Sequence, residues 1–197
     1  MVVQRCQVRR ATLKTSLTDP LRIGTIPVGK KGGAVGITFA PGKYQEAALT
    51  GAWARDLDLD LRAIRKWGAR RVVTLIEPTE FHELRIPSLP KRALHHGLAW
   101  YGLPIKDGAA PDRRLLDPWA ALGPLFSSEL IEGAKIVVHC KGGLGRAGTV
   151  ACMLLLQSNA AKDGEDAISK VRLARPGAIE TPEQEAFIRA WATQVTG

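Results

Sequence analysis

The segment 139–149, with the sequence HCKGGLGRAGT, constrains the fold of this chain more than any other. It follows the apolar run 136–138 and leads into the apolar stretch 149–156, which indicates a turn between a buried strand and a helix. Cys140 and Arg146 are separated by five residues, three of which are glycine. Because glycine adopts positive φ without steric cost, successive backbone amides of this turn can point toward one anion. The sequence therefore predicts a nest for a tetrahedral anion, and phosphate fits it best.

The predicted nest also sets the chemistry of its two functional side chains. The helix dipole adds positive charge at the turn, and the Arg146 guanidinium can grip two phosphate oxygens. Cysteine thiols at helix N-termini beside cations ionise more readily than free thiols, so we expect Cys140 to be a thiolate that attacks phosphorus in line. This chemistry requires no metal ion and no cofactor. The predicted phosphate-binding residues are Lys141, Gly142, Gly143, Leu144, Gly145 and Arg146.

The segment 139–149 resembles the signature loop of cysteine-dependent protein tyrosine and dual-specificity phosphatases. Within that superfamily it is most similar to the kinase-associated phosphatase (cyclin-dependent kinase inhibitor 3-like) group. The segment 103–112 resembles the general-acid loop of that group, and the segment 177–184 resembles its glutamine-bearing loop. The likeness extends over residues 22–193. It implies a protein phosphatase that hydrolyses phosphotyrosine, phosphoserine or phosphothreonine through a cysteinyl-phosphate intermediate.

A phosphatase of this kind needs a carboxylic acid, because an alkoxide or phenolate leaves poorly without a proton. The resemblance favours Asp107, which would then act as the base for the water that hydrolyses the intermediate. Asp112 is a competitor on the same loop, and Asp117 is less suited because it falls in the predicted helix 113–130. By resemblance, Gln184 positions the water.

Four residues around the loop qualify this interpretation. The family usually places Ser or Thr after the arginine, where this chain has Ala147, so we expect slower hydrolysis of the intermediate; a phosphate-binding pseudophosphatase adaptor is the alternative. Thr149, two residues further on, is the candidate for supplying this hydroxyl through a different geometry and is expected to support the loop, although two helical steps turn it about 200° away from position 147. Glu180 stands where the group carries an amide. His139 is expected to orient the loop and tune the thiolate, with a purely structural role as the alternative.

The substrate class is less constrained than the chemistry. The net charge of +9 is dispersed along the chain, which favours anionic substrates but no specific nucleic-acid interface. Lys141 adds charge at the pocket mouth, as in several phosphoinositide phosphatases of the superfamily, yet Leu144 stands where a second cation would be expected. A phosphorylated protein, by resemblance a kinase, is therefore the leading substrate. A phosphoinositide or another small phosphomonoester is the alternative.

Composition sets the remaining expectations. The 197 residues are 45% hydrophobic with no apolar run near the roughly 20 residues of a membrane span, so no span is predicted. Three scattered cysteines favour a reducing cytoplasm over a disulfide framework. A basic N-terminal extension is predicted over residues 1–20, followed by a single catalytic domain over 21–197 that we expect to be monomeric.

Strands alternate with helices along this domain. Strands are predicted at 21–26, 34–39, 71–76, 98–105 and 135–139, and helices at 56–67, 80–84, 89–95, 113–130, 147–157, 165–175 and 181–194. Pro118 and Pro124 are expected to kink or divide the helix 113–130. The alternation predicts an α/β fold with a central, mainly parallel sheet flanked by helices. Ligands of such sheets bind beyond the carboxyl ends of the strands, where Cys140 and Asp107 both fall.

Overall fold

The computed structural model describes residues 13–48 and 51–195. Its strands are β1 (Gly24–Val28), β2 (Gly33–Phe39), β3 (Tyr44–Gln45), β4 (Trp53–Ala54), β5 (Ala69–Thr74), β6 (Ala99–Gly102) and β7 (Lys135–Cys140). Its helices are α1 (Leu57–Trp67), α2 (Pro78–Glu83), α3 (Leu89–His95), α4 (Arg113–Ile131), α5 (Gly145–Gln157), α6 (Gly164–Ala174) and α7 (Pro182–Val195). Every predicted strand and helix has a counterpart here, with bounds that shift by a few residues.

Five of these strands form one sheet in the order β1-β2-β7-β5-β6. Only the β1–β2 pair is antiparallel, and the three other pairs are parallel. Strand β7 lies at the centre, so the predicted mainly parallel sheet and its predicted central strand are both confirmed. Strands β3 and β4 form a separate antiparallel pair.

Helices cover both faces of the sheet because side chains alternate along β7. Ile136 and Val138 pack into the core formed with α4, α5, α6 and α7. Val137 points the other way, into the cluster formed with α1 and α3. Helix α5 is buried along nearly its whole length, which places its N-terminus firmly against the end of β7.

Helix α4 runs unbroken through Pro118 and Pro124, so the prediction that these prolines divide it is wrong. Both prolines are exposed, whereas Trp119 and Phe126 on the opposite side are buried in the main core. The burial of these large aromatic side chains outweighs the lost backbone hydrogen bonds.

The predicted N-terminal extension differs from the structure in its described part. Backbone groups of Lys14 bond to residues 52 and 54, and Arg55 donates to the carbonyls of Thr15 and Asp19 at 3.4 and 2.7 Å. The contact forms because the Arg55 guanidinium is fully buried and needs acceptors. Residues 14–19 therefore pack on the domain, and residues 1–12 of the predicted extension lie outside the described residues. In the described part of the chain, no helix is both long enough and apolar enough to cross a membrane.

Candidate active site

The loop between β7 and α5 encloses Cys140 as the sequence predicted. Cys140 is the last residue of β7 and only 3% exposed, and its Sγ accepts a hydrogen bond from the Gly143 amide at 3.2 Å. Gly143 has a φ of +68°, and a Cβ at this position would lie 2.4 Å from the backbone of Thr38. Only glycine fits there, and it brings the loop backbone over the sulfur.

Arg146 lies in the first turn of α5 with its side chain 1% exposed. Its Nη1 and Nη2 donate to the two carboxylate oxygens of Glu80 at 2.6 and 3.0 Å, and Nη2 also lies 2.8 Å from Oδ1 of Asp107. Nη1 further donates to the carbonyl of Ile105 at 3.2 Å. Within the described residues, the buried Nε of Arg146 has no hydrogen-bond partner. An oxygen of a bound phosphate is a suitable acceptor for this buried donor.

Glu80 is a site residue that no sequence motif pointed to. It is 6% exposed and also accepts from the Glu77 amide at 2.8 Å, as part of a capping box at the start of α2. Burial alone would raise the pKa of Glu80, but the hydrogen bonds from Arg146 and from the Glu77 backbone keep the pKa below its ordinary value. The carboxylate is therefore ionised and fixes the Arg146 side chain. The available sequence signal was the spacing Glu77-Pro78-Thr79-Glu80, typical of a helix start.

His139 is the residue before the cysteine and is buried beneath the loop. Its ring is fully buried, with Nε2 at 2.8 Å from Oγ1 of Thr74 and Nδ1 at 3.4 Å from the Cys140 carbonyl oxygen. Trp100 donates to the same Thr74 hydroxyl at 2.8 Å. Burial, with a smaller contribution from the charge of Arg146, lowers the pKa of His139 to about 4. The imidazole is therefore neutral at physiological pH, which suits an orienting role.

Of the three candidate acids, Asp107 is the one that the structure brings to the phosphate loop. Its side chain is 69% exposed, and its carboxylate contacts Arg146. Asp112 instead caps α4 by accepting from the Arg114 amide at 2.9 Å, and hydrogen bonds from the Arg114 side chain hold the pKa of Asp112 below its ordinary value. Asp117 lies on the exposed side of α4.

Gln184 connects the acid loop to the segment that precedes α7. The side chain is fully buried; its Oε1 accepts from the Glu180 amide at 2.9 Å, and its Nε2 donates to the Ala109 carbonyl at 3.3 Å. Thr181 caps α7 by accepting from the Gln184 amide at 3.2 Å, and its hydroxyl donates to the Gly108 carbonyl at 3.2 Å. Both ends of the Gln184 amide therefore have backbone partners, and its predicted role in positioning water stays a prediction.

The residues that depart from the family pattern have defined positions. Ala147 is buried in the main core. The Thr149 hydroxyl donates back to the Gly145 carbonyl at 2.9 Å, so it is bonded within α5, and its predicted role as a substitute hydroxyl stays a prediction. Glu180 contacts the phosphate loop directly, since its Oε2 accepts from the Gly145 amide at 2.7 Å.

Two cations beside the loop were not predicted as site residues. Arg175 donates from Nε to the Gly143 carbonyl and from Nη2 to the Gly142 carbonyl, both at 3.0 Å, and so supports the loop from outside. Lys43 is 5% exposed, with Nζ 4.5 Å from the ring centroid of Trp53. Burial, together with the charge of Arg55, lowers the pKa of Lys43 to about 8. Sequence spacing gave no signal for either, because both come from segments distant in the chain.

The mouth of the loop carries Lys141 and Leu144. Lys141 is partly exposed, and its Nζ lies 3.5 Å from Oε2 of Glu83. Leu144 is half-buried immediately before α5. The site thus combines the Cys140 thiol, backbone amides, the Arg146 guanidinium held by Glu80, and the exposed Asp107 carboxylate at one end of the sheet. This arrangement is suited to binding and attacking a phosphate monoester.

Comparisons with known proteins agree with this chemistry. The family model described as "Swiss Army Knife protein, DSP-PTPase phosphatase domain" matches residues 50–188. Cyclin-dependent kinase inhibitor 3 of Mus musculus is 27% identical over 173 residues, which cover 86% of this chain and 77% of that protein. Protein tyrosine phosphatase type IVA 3 of Homo sapiens is 31% identical over 121 residues, which cover 61% of this chain and 63% of that protein.

A solved structure supports the fold. The crystal structure of kinase associated phosphatase, with serine in place of its catalytic-site cysteine, superposes with a TM-score of 0.76 at 23% sequence identity. The match covers 91% of this chain and 98% of that one. It confirms the α/β architecture with a central sheet flanked by helices.

Proposed function

The chain belongs to the DSP-PTPase phosphatase domain family and is a cysteine-dependent phosphatase, and from this premise we propose that it dephosphorylates protein side chains through a phosphocysteine on Cys140. One observation carries the proposal. Arg146, held by Glu80 on one side, also meets the carboxylate of Asp107 and keeps a buried Nε without a partner among the described residues. A phosphate bound there lies between a thiol and a carboxylic acid.

In the first step the Cys140 thiolate attacks phosphorus, and the bond to the serine, threonine or tyrosine oxygen breaks. The backbone amides of the loop and the Arg146 guanidinium bind the phosphoryl oxygens, whose charge is greatest around the transition state. The Gly143 amide, which donates to Sγ, stabilises the thiolate before attack and after departure. The phosphoryl group is then attached to sulfur.

Asp107 supplies the proton to the leaving oxygen in this step. Its position at Nη2 of Arg146 supports this assignment, because the bound phosphate shares that guanidinium. Asp112 is less suited, because its carboxylate caps α4 and is held by the Arg114 side chain.

In the second step Asp107 accepts a proton from water, the water oxygen bonds to phosphorus, and the S–P bond breaks to release phosphate. Gln184 is the proposed water-positioning residue, and its bond to Ala109 additionally holds the acid loop in place. Ala147 offers no hydroxyl to the departing sulfur. We therefore expect hydrolysis of phosphocysteine to be the slower step.

The proposed substrate is a phosphorylated protein. Support comes from Leu144 at the loop mouth and from the Glu83 carboxylate beside Lys141, which together reduce the positive charge available to a highly phosphorylated inositol ring. A kinase is the proposed target by analogy with the relative named cyclin-dependent kinase inhibitor 3. We place the enzyme in the cytoplasm, because a catalytic thiol and scattered cysteines suit a reducing compartment.

The deciding experiment is rapid-quench trapping with ³²P-labelled phosphotyrosine and phosphothreonine peptides. We expect label on the wild-type protein within the first turnover, followed by slower release of inorganic phosphate. Cys140→Ser should abolish both the labelling of the protein and the release of phosphate. Cys152→Ser is the matched control and should leave labelling and release unchanged. Cys152 is also a buried cysteine, but it lies on α5, and burial raises the pKa of its thiol far above the ordinary value.

The possible outcomes separate the candidate functions. Label on Cys140 followed by phosphate release supports the enzyme. Binding of the peptides without label or release identifies a phosphate-binding adaptor instead. Release of phosphate from inositol phosphates alone, with no peptide hydrolysed, contradicts the assignment to protein substrates.

A further inference from the structure

A chain of hydrogen bonds runs from Trp100, on the edge strand β6, to the backbone of Cys140. Trp100 donates from Nε1 to Oγ1 of Thr74 on β5 at 2.8 Å. The same Oγ1 lies 2.8 Å from Nε2 of His139 on β7, and Nδ1 of His139 lies 3.4 Å from the Cys140 carbonyl oxygen. Because β6, β5 and β7 are neighbours in the sheet, the chain connects a half-buried residue at its edge to the central strand.

Trp100 sets the direction of the next hydrogen bond in this chain. An indole N–H can only donate, so the Thr74 oxygen accepts from it. In the described part of the chain, the Thr74 hydroxyl has one other partner, which is Nε2 of His139. The single hydroxyl proton is therefore available to Nε2. Burial lowers the pKa of His139 to about 4, so the ring is neutral near pH 7 and one of its nitrogens can accept this proton.

The opposite tautomer of His139 leaves buried polar groups without suitable partners. With the proton on Nε2, the Thr74 oxygen would accept twice, and its own O–H would have no acceptor among the described residues. Nδ1 would then direct a lone pair at the Cys140 carbonyl oxygen, which is also an acceptor. Thr74 and His139 are both fully buried, so bulk water does not supply the missing partners. The hydrogen bonds therefore favour the proton on Nδ1, from which it is donated to Cys140.

Nearby charges do not account for this choice of tautomer. Arg146 and Glu80 both act on the His139 ring, and their effects on its pKa oppose each other. The hydrogen bonds of the Arg146 guanidinium go to Glu80 and to the Ile105 carbonyl, not to the ring. Among the described residues, the selection thus depends on the hydroxyl of Thr74 and on the indole that donates to it.

We propose that Trp100 is a positioning residue: through Thr74 it fixes the Nδ1-protonated tautomer of His139, which holds the Cys140 carbonyl at the base of the phosphate loop. In a planar trans peptide, a carbonyl held toward the His139 ring directs the Lys141 N–H away from it. Lys141 is the first of the predicted phosphate-binding residues. The effect on turnover rests on the proposed function, whereas the tautomer is a property of the folded protein alone.

The test is ¹⁵N NMR of the histidine side chains in the whole 197-residue chain. Long-range ¹H–¹⁵N correlations distinguish a protonated from an unprotonated ring nitrogen, and the loss of signals in His139→Asn assigns those of His139. In the wild type we expect two well-separated ¹⁵N signals, with the proton on Nδ1.

Trp100→Phe removes the N–H donor and keeps an aromatic ring to pack against Phe81. Water in the space left by the indole can accept from the Thr74 hydroxyl as well as donate to it, so both tautomers become populated. The two ¹⁵N signals of His139 should move toward each other, and kcat/KM for 4-nitrophenyl phosphate should fall severalfold. Trp67→Phe is the matched control, because Trp67 is also half-buried and donates to a threonine, Thr25, at 3.1 Å. It should change neither readout.

Thr74→Val tests whether Trp100 acts through the hydroxyl. This variant removes the donor to Nε2, so the Nε2 signal should move to the position of a nitrogen without a hydrogen bond. Adding Trp100→Phe to Thr74→Val should lower kcat/KM no further, since the connection is already broken. Thr74→Ser keeps the hydroxyl and should keep the wild-type spectrum.

Three results overturn the proposal. They are a wild-type spectrum with the proton on Nε2, a Trp100→Phe spectrum identical to that of the wild type, and losses of kcat/KM that add in the double variant. If Trp100→Phe does not fold, an unmoved Nε2 signal in Thr74→Val overturns it instead. If the wild type hydrolyses no phosphomonoester, the spectra still report the tautomer, so the role of Trp100 in fixing His139 stands while the proposed function fails.

Discussion

The phosphate loop and the acid loop face the same arginine but are built in opposite ways. The phosphate loop lies between the central strand and a buried helix, and Arg146 within it is 1% exposed. Asp107 is 69% exposed, and the residues that follow it are tied down mainly by hydrogen bonds to Thr181 and Gln184. In the proposed mechanism, phosphate capture therefore relies on residues of the core, whereas proton transfer relies on a surface loop. The two functions should respond differently to mutation.

Arg146→Lys should give the largest effect, because lysine cannot reproduce the fork that spans Glu80, Asp107 and a phosphate. We expect kcat/KM for an aryl phosphate to fall by about 10²- to 10³-fold. Steady-state kinetics with the purified variants measure this loss of kcat/KM. Arg55→Lys changes an equally buried arginine, paired with Asp60, and should cost far less activity. Equal losses in the two variants contradict a special role for Arg146.

Asp107→Ala should lower kcat for a phosphoserine peptide by about 10²-fold but kcat for 4-nitrophenyl phosphate only slightly, because an activated phenolate leaves without a proton. The ratio of the two rates is the measurement. Asp112→Ala is the control; it removes a helix cap and should cost about 1 kcal/mol of stability without changing the ratio. Equal losses with both substrates argue against a general acid.

His139 tests how closely the phosphate loop depends on the core. An unfolded histidine titrates near 6.5, whereas burial lowers the pKa of His139 to about 4 in the folded protein. Between these values the unfolded chain binds the extra proton, so the free energy of unfolding rises with pH and is lost as the pH falls from 6.5 toward 4. The slope is about 1.4 kcal/mol per pH unit, or about 3 kcal/mol over the window.

Urea unfolding at several pH values between 5 and 6.5 measures this slope. His139→Asn removes the titrating group and should lower the slope by the same amount. His82→Asn, at an exposed histidine of α2, is the control and should leave the slope unchanged. Identical slopes in wild type and His139→Asn would rule out His139 as the source.

Thr181→Val should give the smallest effect. It removes the hydroxyl that caps α7 and donates to Gly108 in the acid loop. We expect a loss of about 1 kcal/mol in stability and a few-fold lower kcat for alkyl phosphates. Trapping of phosphocysteine from 4-nitrophenyl phosphate, whose leaving group needs no proton, should be unaffected. Thr181→Ser keeps the hydroxyl and should behave like the wild type. A loss of trapping equal to the loss of turnover means that the two loops are not independent.

The sequence predicted this site unevenly, for a physical reason. The residues 139–149 form a continuous segment whose glycines and flanking apolar runs specify its backbone, so Cys140 and Arg146 were accessible to local reasoning. The acid loop and Gln184 needed the family resemblance, because an Asp-Gly turn and a helical glutamine are common by themselves. Residues that approach the loop from distant parts of the chain could not be predicted from the sequence. Glu80 and Lys43 lie near the loop only because parallel strands end at one edge of the sheet.

The secondary structure was also predicted well where local pattern determines it and poorly where distant contacts do. Periodicity located the seven helices and the five strands of the main sheet, but it missed β3 and β4, which are only two residues long and too short to show a pattern. It failed at Pro118 and Pro124, where aromatic burial overrides the local preference against proline. It also failed for residues 14–19, whose polar composition suggests a loose arm. Their attachment depends on Arg55, a buried cation far along the chain that uses their carbonyls.

The contact between the Glu180 carboxylate and the Gly145 amide means that the loop is already occupied by an anion belonging to the chain. A phosphate that takes this amide must displace Glu180, just as it must share or replace Asp107 at Arg146. Phosphate binding would then exchange a protein carboxylate for a phosphate oxygen at the same donor. Few polar groups of the loop would lack a partner either before or after binding. Any affinity measured for an anion at this loop would then be a difference between two attractions, that of the anion and that of the protein's own carboxylates for the same groups.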